Sequence, residues 1–130
     1  MDTKPILIFD RDSFYGKDLG IALNTPVHSA EMFETAVSAL EQMDYRLLIM
    51  DPGRFEKPHP DNNWAHRLVG VAHSRDTPVM VFSTLPQKVL ATDYQLREGS
   101  HYEAYAMKPT RAIEVLNMIA GIRMPATAKA

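Results

Sequence analysis

Four places in the chain carry residues that could do chemistry: Asp10, Arg11 and Asp12; Asp51; Ser83 with Thr84; and Lys108, followed by Pro109. Each stands directly after a short apolar run: "ILIF" before the first, "LLIM" before the second, "VMVF" before the third and "YAM" before the fourth. A carboxylate at the end of a buried run is costly unless it finds a partner, so acids, hydroxyls and an ammonium in equivalent positions imply that they meet. A carboxylate can act as a nucleophile or hold a hard cation, a lysine can pair with an anion as a point charge, and a serine can donate a hydrogen bond. Together these are the parts of a phosphoryl-transfer centre.

The surrounding pattern supplies the frame. Residues 4–10 and 45–51 are nearly unbroken apolar runs, the mark of strands buried on both faces, and 78–84 is a third. Weaker strands are expected at 27–29 and 104–107. Between them, helices are expected over 12–23 with Asp12 or Ser13 as cap, over 31–43, over 63–74 and from Pro86 towards Glu98 with Gly99 as its stop. A last helix is expected over 110–122. Three prolines make 52–63 mostly loop. Strand and helix alternate five times, which predicts a parallel sheet covered on both faces. Ligands of such sheets bind outside the carboxyl ends of the strands, where the four groups of reactive residues stand.

Composition narrows the function. A chain of 130 residues makes one domain, expected over 1–122, with 123–130 a short flexible tail. A net charge of -2 gives no general attraction for nucleic acid or anionic membrane, and the absence of cysteine excludes disulfides and thiolate metal sites. No apolar run approaches the roughly 18 residues of a membrane span, and with a first strand near Pro5 no signal peptide is expected, so the protein is read as cytoplasmic. His59, His66 and His73 lack metal-ligand spacing and read as surface residues. Met32, Met43, Met80, Met107 and Met118 read mostly as core filler.

Two families are resembled. "ILIFDRDS" and "VMVFST" are similar to the first two motifs of haloacid dehalogenase-type phosphatases, but the later acidic pair of that family is missing, and Asp51 would have no role. From about residue 4 to 122 the chain resembles the receiver domains of two-component response regulators, which are CheY-like. "ILIFDRD" resembles their first acidic strand end, "LLIMD" the phosphoacceptor strand, "PVMVFST" the strand ending in the switch hydroxyl and "YAMKP" the strand ending in Lys-Pro.

The resemblance implies a flavodoxin-like, doubly wound five-stranded parallel sheet in the order 2-1-3-4-5, with helices on both faces. It implies that Asp51 accepts a phosphoryl group from a histidine kinase or phosphotransfer protein. Asp10, Asp51 and the carbonyl of Gly53 are implied as Mg²⁺ ligands, with Asp12 a further candidate. Lys108 and Ser83 would contact the phosphoryl oxygens, and Ser83 with Tyr105 would form the switch. Apart from this self-chemistry no enzyme activity is implied.

One departure stands out. The second acid that receivers normally carry is replaced by Arg11, so either Asp12 serves the metal, or Arg11 supplies the positive charge in its place, or Arg11 turns to solvent. The alternative function is a phosphorylation-independent pseudo-receiver that binds partners. With no output domain expected after 122, the protein would act on a downstream partner or as a homodimer. The face expected for this comprises the fourth helix, fifth strand and last helix, with Tyr94, Arg97, Tyr102 and Arg111.

Overall fold

The computed structural model describes residues 4–10, 25–52, 63–108, 114, 117–119 and 121–122. Its strands are β1 (Ile6–Phe9), β2 (Val27–Ala30), β3 (Leu47–Met50), β4 (Val79–Ser83) and β5 (Ala104–Met107). Among the described residues three helices lie between strands: α1 (Phe33–Gln42), α2 (Asn63–Ser74) and α3 (Gln87–Asp93). All strand pairs are parallel, in the order β2-β1-β3-β4-β5. The expected first helix lies outside the described residues, as does most of the last; residues 114 and 117–119 are helical.

Alternation along the strands divides the core into two layers. Leu7, Phe9, Leu48, Met50, Val79 and Val81 face one way, against Ala36 and Leu40 of α1, Ala65 and Leu68 of α2 and Leu90 of α3. Ile6, Ile8, Leu47, Ile49, Met80 and Phe82 face the other way, against Ile119 and Ile122. Because both layers are covered, β1, β3 and β4 are buried at every position. That burial is why they read as continuous apolar runs.

Helix ends follow local chemistry. Helix α2 closes with Thr77 N–H on the Ala72 carbonyl and Asp76 N–H on His73, a Schellman arrangement with Asp76 at φ 57°. Helix α3 differs from the sequence reading: it begins after Pro86, as expected, but stops at Asp93 rather than near Glu98. Tyr94 and Leu96 are both buried, and no single helical face can bury these two residues two positions apart. The chain instead reverses through Gln95 at φ 55°, and the Leu96 N–H bonds to the Leu90 carbonyl. Gly99, at φ 88°, serves the next turn, where its N–H meets the Tyr102 carbonyl.

The methionines also depart from expectation. Met80 is fully buried, but Met32, Met43, Met107 and Met118 are 40–63% exposed. Their helical or strand spacing placed them beside the apolar stripes rather than within them.

Candidate functional site

Register brings the acids together. Phe9 pairs with Met50 across β1 and β3, so Asp10 and Asp51 are the next residues of neighbouring strands. This is the switch point of the sheet, since the chain leaves β1 for β2 on one side and returns to β3 on the other. Ser83 pairs with Met107 across β4 and β5, and the Lys108 N–H bonds to the Ser83 carbonyl at 2.9 Å. Lys108 thus starts two strands away from Asp51 and reaches back over β4, its ammonium 5.5 Å from the centre of the Phe82 ring.

The ammonium ends between the two acids. Lys108 Nζ donates to Asp10 Oδ2 at 2.6 Å and to Asp51 Oδ2 at 2.9 Å. The three side chains are only 12%, 6% and 9% exposed, in the order Lys108, Asp10, Asp51. Burial by itself would lower the lysine's affinity for its proton. The hydrogen bonds and charges of Asp10 and Asp51 outweigh it, so the Lys108 pKa lies above its ordinary value of 10.5. The lysine stays charged at any physiological pH. Two carboxylates against one ammonium leave the trio itself with a net charge of about -1.

A second chain of contacts links the two expected switch residues. Ser83 is fully buried and its Oγ accepts the Leu85 N–H at 3.1 Å. Tyr105 is partly buried, and its hydroxyl donates to the carbonyl of the same residue, Leu85, at 2.5 Å. Its ring leans on Tyr102, with centroids 6.4 Å apart. Burial first, and then the charge of Tyr102, raise the Tyr105 pKa above 10.0, so its hydroxyl remains a donor.

Of the residues singled out from sequence, Asp10, Asp51 and Lys108 therefore meet, while Ser83 and Tyr105 meet through Leu85. Arg11, Asp12, Gly53, His59, Pro109 and Arg111 lie outside the described residues. Among the described residues no group of three or more His, Cys, Asp or Glu side chains has metal-holding geometry. The donor chemistry nevertheless suits a hard divalent cation: two oxygen ligands at a buried, net-negative strand edge.

Three expectations about the periphery are corrected. His66 and His73 are partly buried rather than plain surface residues: His66 bonds to the Tyr94 carbonyl, and His73 to Glu103 at 3.0 Å. Tyr94 and Tyr102 are 5% and 1% exposed, so they cannot form the face proposed for dimerisation; Arg97 is exposed. Glu103 went unnoticed in the sequence, yet its Oε1 accepts both His73 Nε2 and the Val79 N–H that opens β4. An acid just before an edge strand gives no pattern by which to find it.

No protein-family model matches the sequence, and no curated protein matches it. Solved structures do. The receiver domain of a sensor histidine kinase from Pseudomonas aeruginosa, with a magnesium ion coordinated in its active-site cleft, is 18% identical. That match has a TM-score of 0.65 and covers 91% of this chain and 95% of the other. A CheY-like receiver domain protein from Methanospirillum hungatei is 19% identical, with a TM-score of 0.67 and 92% of each chain covered. A response regulator protein from Burkholderia pseudomallei, holding a phosphorylated aspartic acid, a calcium ion and citrate, is 13% identical. Its TM-score is 0.67, over 97% of this chain and 69% of that one. The fold is that of CheY-like receiver domains.

Proposed function

We propose that this chain is a phosphorylatable receiver: Asp51 accepts a phosphoryl group from a histidine kinase or phosphotransfer protein, and the modified domain binds a protein partner differently. The observation that carries the reading is the meeting of Asp10 and Asp51 on Lys108 at the switch point of the sheet. An Asp51 carboxylate oxygen forms the new bond to phosphorus while the bond from phosphorus to the donor's imidazole nitrogen breaks, leaving an aspartyl phosphate. Lys108 pairs with Asp51 before the transfer and follows the charge onto a phosphoryl oxygen after it. Asp10 and Asp51 would hold Mg²⁺, with Gly53 and Asp12 as further donors, and the ion would neutralise charge there.

The switch follows from the shared residue. When Ser83 turns its hydroxyl to the phosphoryl group, the Leu85 N–H loses its acceptor, and the segment anchoring Tyr105 shifts with it. A local hydrogen-bond exchange is thereby passed to the surface around β5. The second reading is the pseudo-receiver, favoured by the same Lys108 bridge, which already satisfies one oxygen of each carboxylate without any phosphate.

Intact mass after incubation with acetyl phosphate decides between them, with and without Mg²⁺, for wild type, Asp51→Ala and Arg11→Asp. A phosphoryl adduct that disappears in Asp51→Ala supports the receiver. An adduct formed without magnesium assigns the metal's role to Arg11. No adduct in wild type overturns the first reading, and its gain in Arg11→Asp identifies the arginine as the block.

A further inference from the structure

Beyond the strand-end site, we infer that a second site lies between α2 and the turn after α3: a cavity of about 610 Å³, lined by His66, Ala91, Thr92, Gln95, Arg97 and His101, that takes the oxyanion of a small organic molecule. Its volume falls in the range of small-molecule sites, about 300–1,000 Å³. Nothing in it depends on whether Asp51 is phosphorylated.

The hydrogen bonds fix what the two imidazoles offer. His66 Nε2 lies 2.9 Å from the Tyr94 carbonyl, which can only accept, so Nε2 carries a proton. His101 is the reverse case: its Nδ1 accepts the Arg97 N–H at 2.9 Å, so the neutral ring is protonated at Nε2, which has no other partner among the described residues. The two rings pack edge to face, 4.7 Å apart. Arg97 is exposed, and its guanidinium makes no ion pair among the described residues. The cavity therefore offers a guanidinium and an imidazole N–H as donors.

The charges around it agree. Among the described residues no carboxylate lines the cavity. Of the nearby acids, Glu103 is held by His73 and the Val79 N–H, and Glu98 accepts from Gln87; Asp93 stands at the end of α3. Burial lowers the His101 pKa, and His66, His73 and Arg97 lower it further by charge, against a smaller opposing effect of the Arg97 backbone. With one guanidinium and an imidazole N–H, the cavity has both the room and the donors for an anion. A metal ion fits less well, because His101 would have to give up its bond from the Arg97 N–H to present a lone pair.

The test is a histidine-resolved NMR titration of the full chain at matched ionic strength, with glycerol phosphate in one arm and malonate in the other, and chloride as reference. The expected result is a saturable shift at His66 and His101 and a rise in the pH midpoint of His101. Arg97→Gln should weaken the apparent affinity at least about tenfold, whereas Lys88→Gln, an exposed residue of α3 outside the cavity, should not. The arm that saturates at lower concentration identifies phosphate or carboxylate as the preferred group. A response that stays linear, an unmoved His101 midpoint, an undiminished response in Arg97→Gln, or tight Zn²⁺ binding by His66 and His101 would each overturn the assignment.

Discussion

Replacing Lys108 by methionine removes the ammonium while keeping the length of the stem and its packing over Phe82, so the charge is what is lost. Asp10 and Asp51 are then left buried, no farther apart than their two contacts with Nζ laid end to end. At roughly 5 Å and an effective dielectric constant of about 20, two carboxylates repel by about 3 kcal/mol. Removing one partner from a buried ionic cluster costs about 3–5 kcal/mol by general experience, so a loss of about 3–4 kcal/mol near neutral pH is expected. The sign of its pH dependence follows from the same picture. Acid relieves the repulsion between the two carboxylates in the variant, so the gap to wild type narrows as the pH falls.

The assay is urea unfolding followed by circular dichroism and by fluorescence of Trp64, which packs edge to face on Phe9 at 5.4 Å and so reports the core beside the site. Adding Asp10→Asn to Lys108→Met should restore about 2 kcal/mol, because it removes the repulsion, although Asp10→Asn alone destabilises the wild type. The reasoning is refuted if Lys108→Met lies within about 1 kcal/mol of wild type at neutral pH, or if the gap is the same at acid pH.

Tyr105→Phe removes the bond to the Leu85 carbonyl, which should cost about 1 kcal/mol in the same unfolding assay. If Tyr105 is the switch, partner affinity also stops responding to modification of Asp51. Glu103→Ala leaves the buried Val79 N–H and His73 without their acceptor; a loss of about 1–3 kcal/mol is expected, with faster hydrogen exchange at Val79 as the local check. Burial raises the pKa of Tyr45, Tyr94, Tyr102 and Tyr105, and the carboxylates raise that of Lys108 despite its burial. Each of these groups prefers its protonated form in the folded state. Their contribution is therefore fully present below pH 10 and is lost as the pH rises through the folded values. Tyrosinate absorbance from these four tyrosines should consequently appear together with unfolding rather than before it.

The strands were legible because burial on both faces writes a continuous apolar run, and the three interior strands are of that kind. Even the weaker edge strand 104–107 has its expected bounds. What could not be read were places where a contact distant in sequence overrides a local pattern. Helix α3 ends early because Tyr94 and Leu96 both find the core, which no periodicity announces. His66 and His73 share a helical face, as their spacing says, but their partners Tyr94 and Glu103 are about thirty residues away. The exposed methionines fail for the opposite reason: a residue beside an apolar stripe counts as apolar in the pattern and lies at its rim in three dimensions.

The strand-end trio was legible for a reason of its own. Burying an ammonium between two carboxylates is not the cheapest way to close the edge of a sheet, because apolar residues of similar volume commonly serve stability as well or better. A chain that ends two adjacent interior strands in aspartate, and places a lysine two strands away to neutralise them, accepts that cost at the strand-end site. The cost is met by register: parallel pairing sets Asp10 beside Asp51, and the Lys108 N–H on the Ser83 carbonyl fixes where the lysine begins. The same geometry gives the trio its chemical use. One ammonium shared between two acids is held by each more weakly than it would be by a partner of its own, and so it can follow a new negative charge when one appears at Asp51.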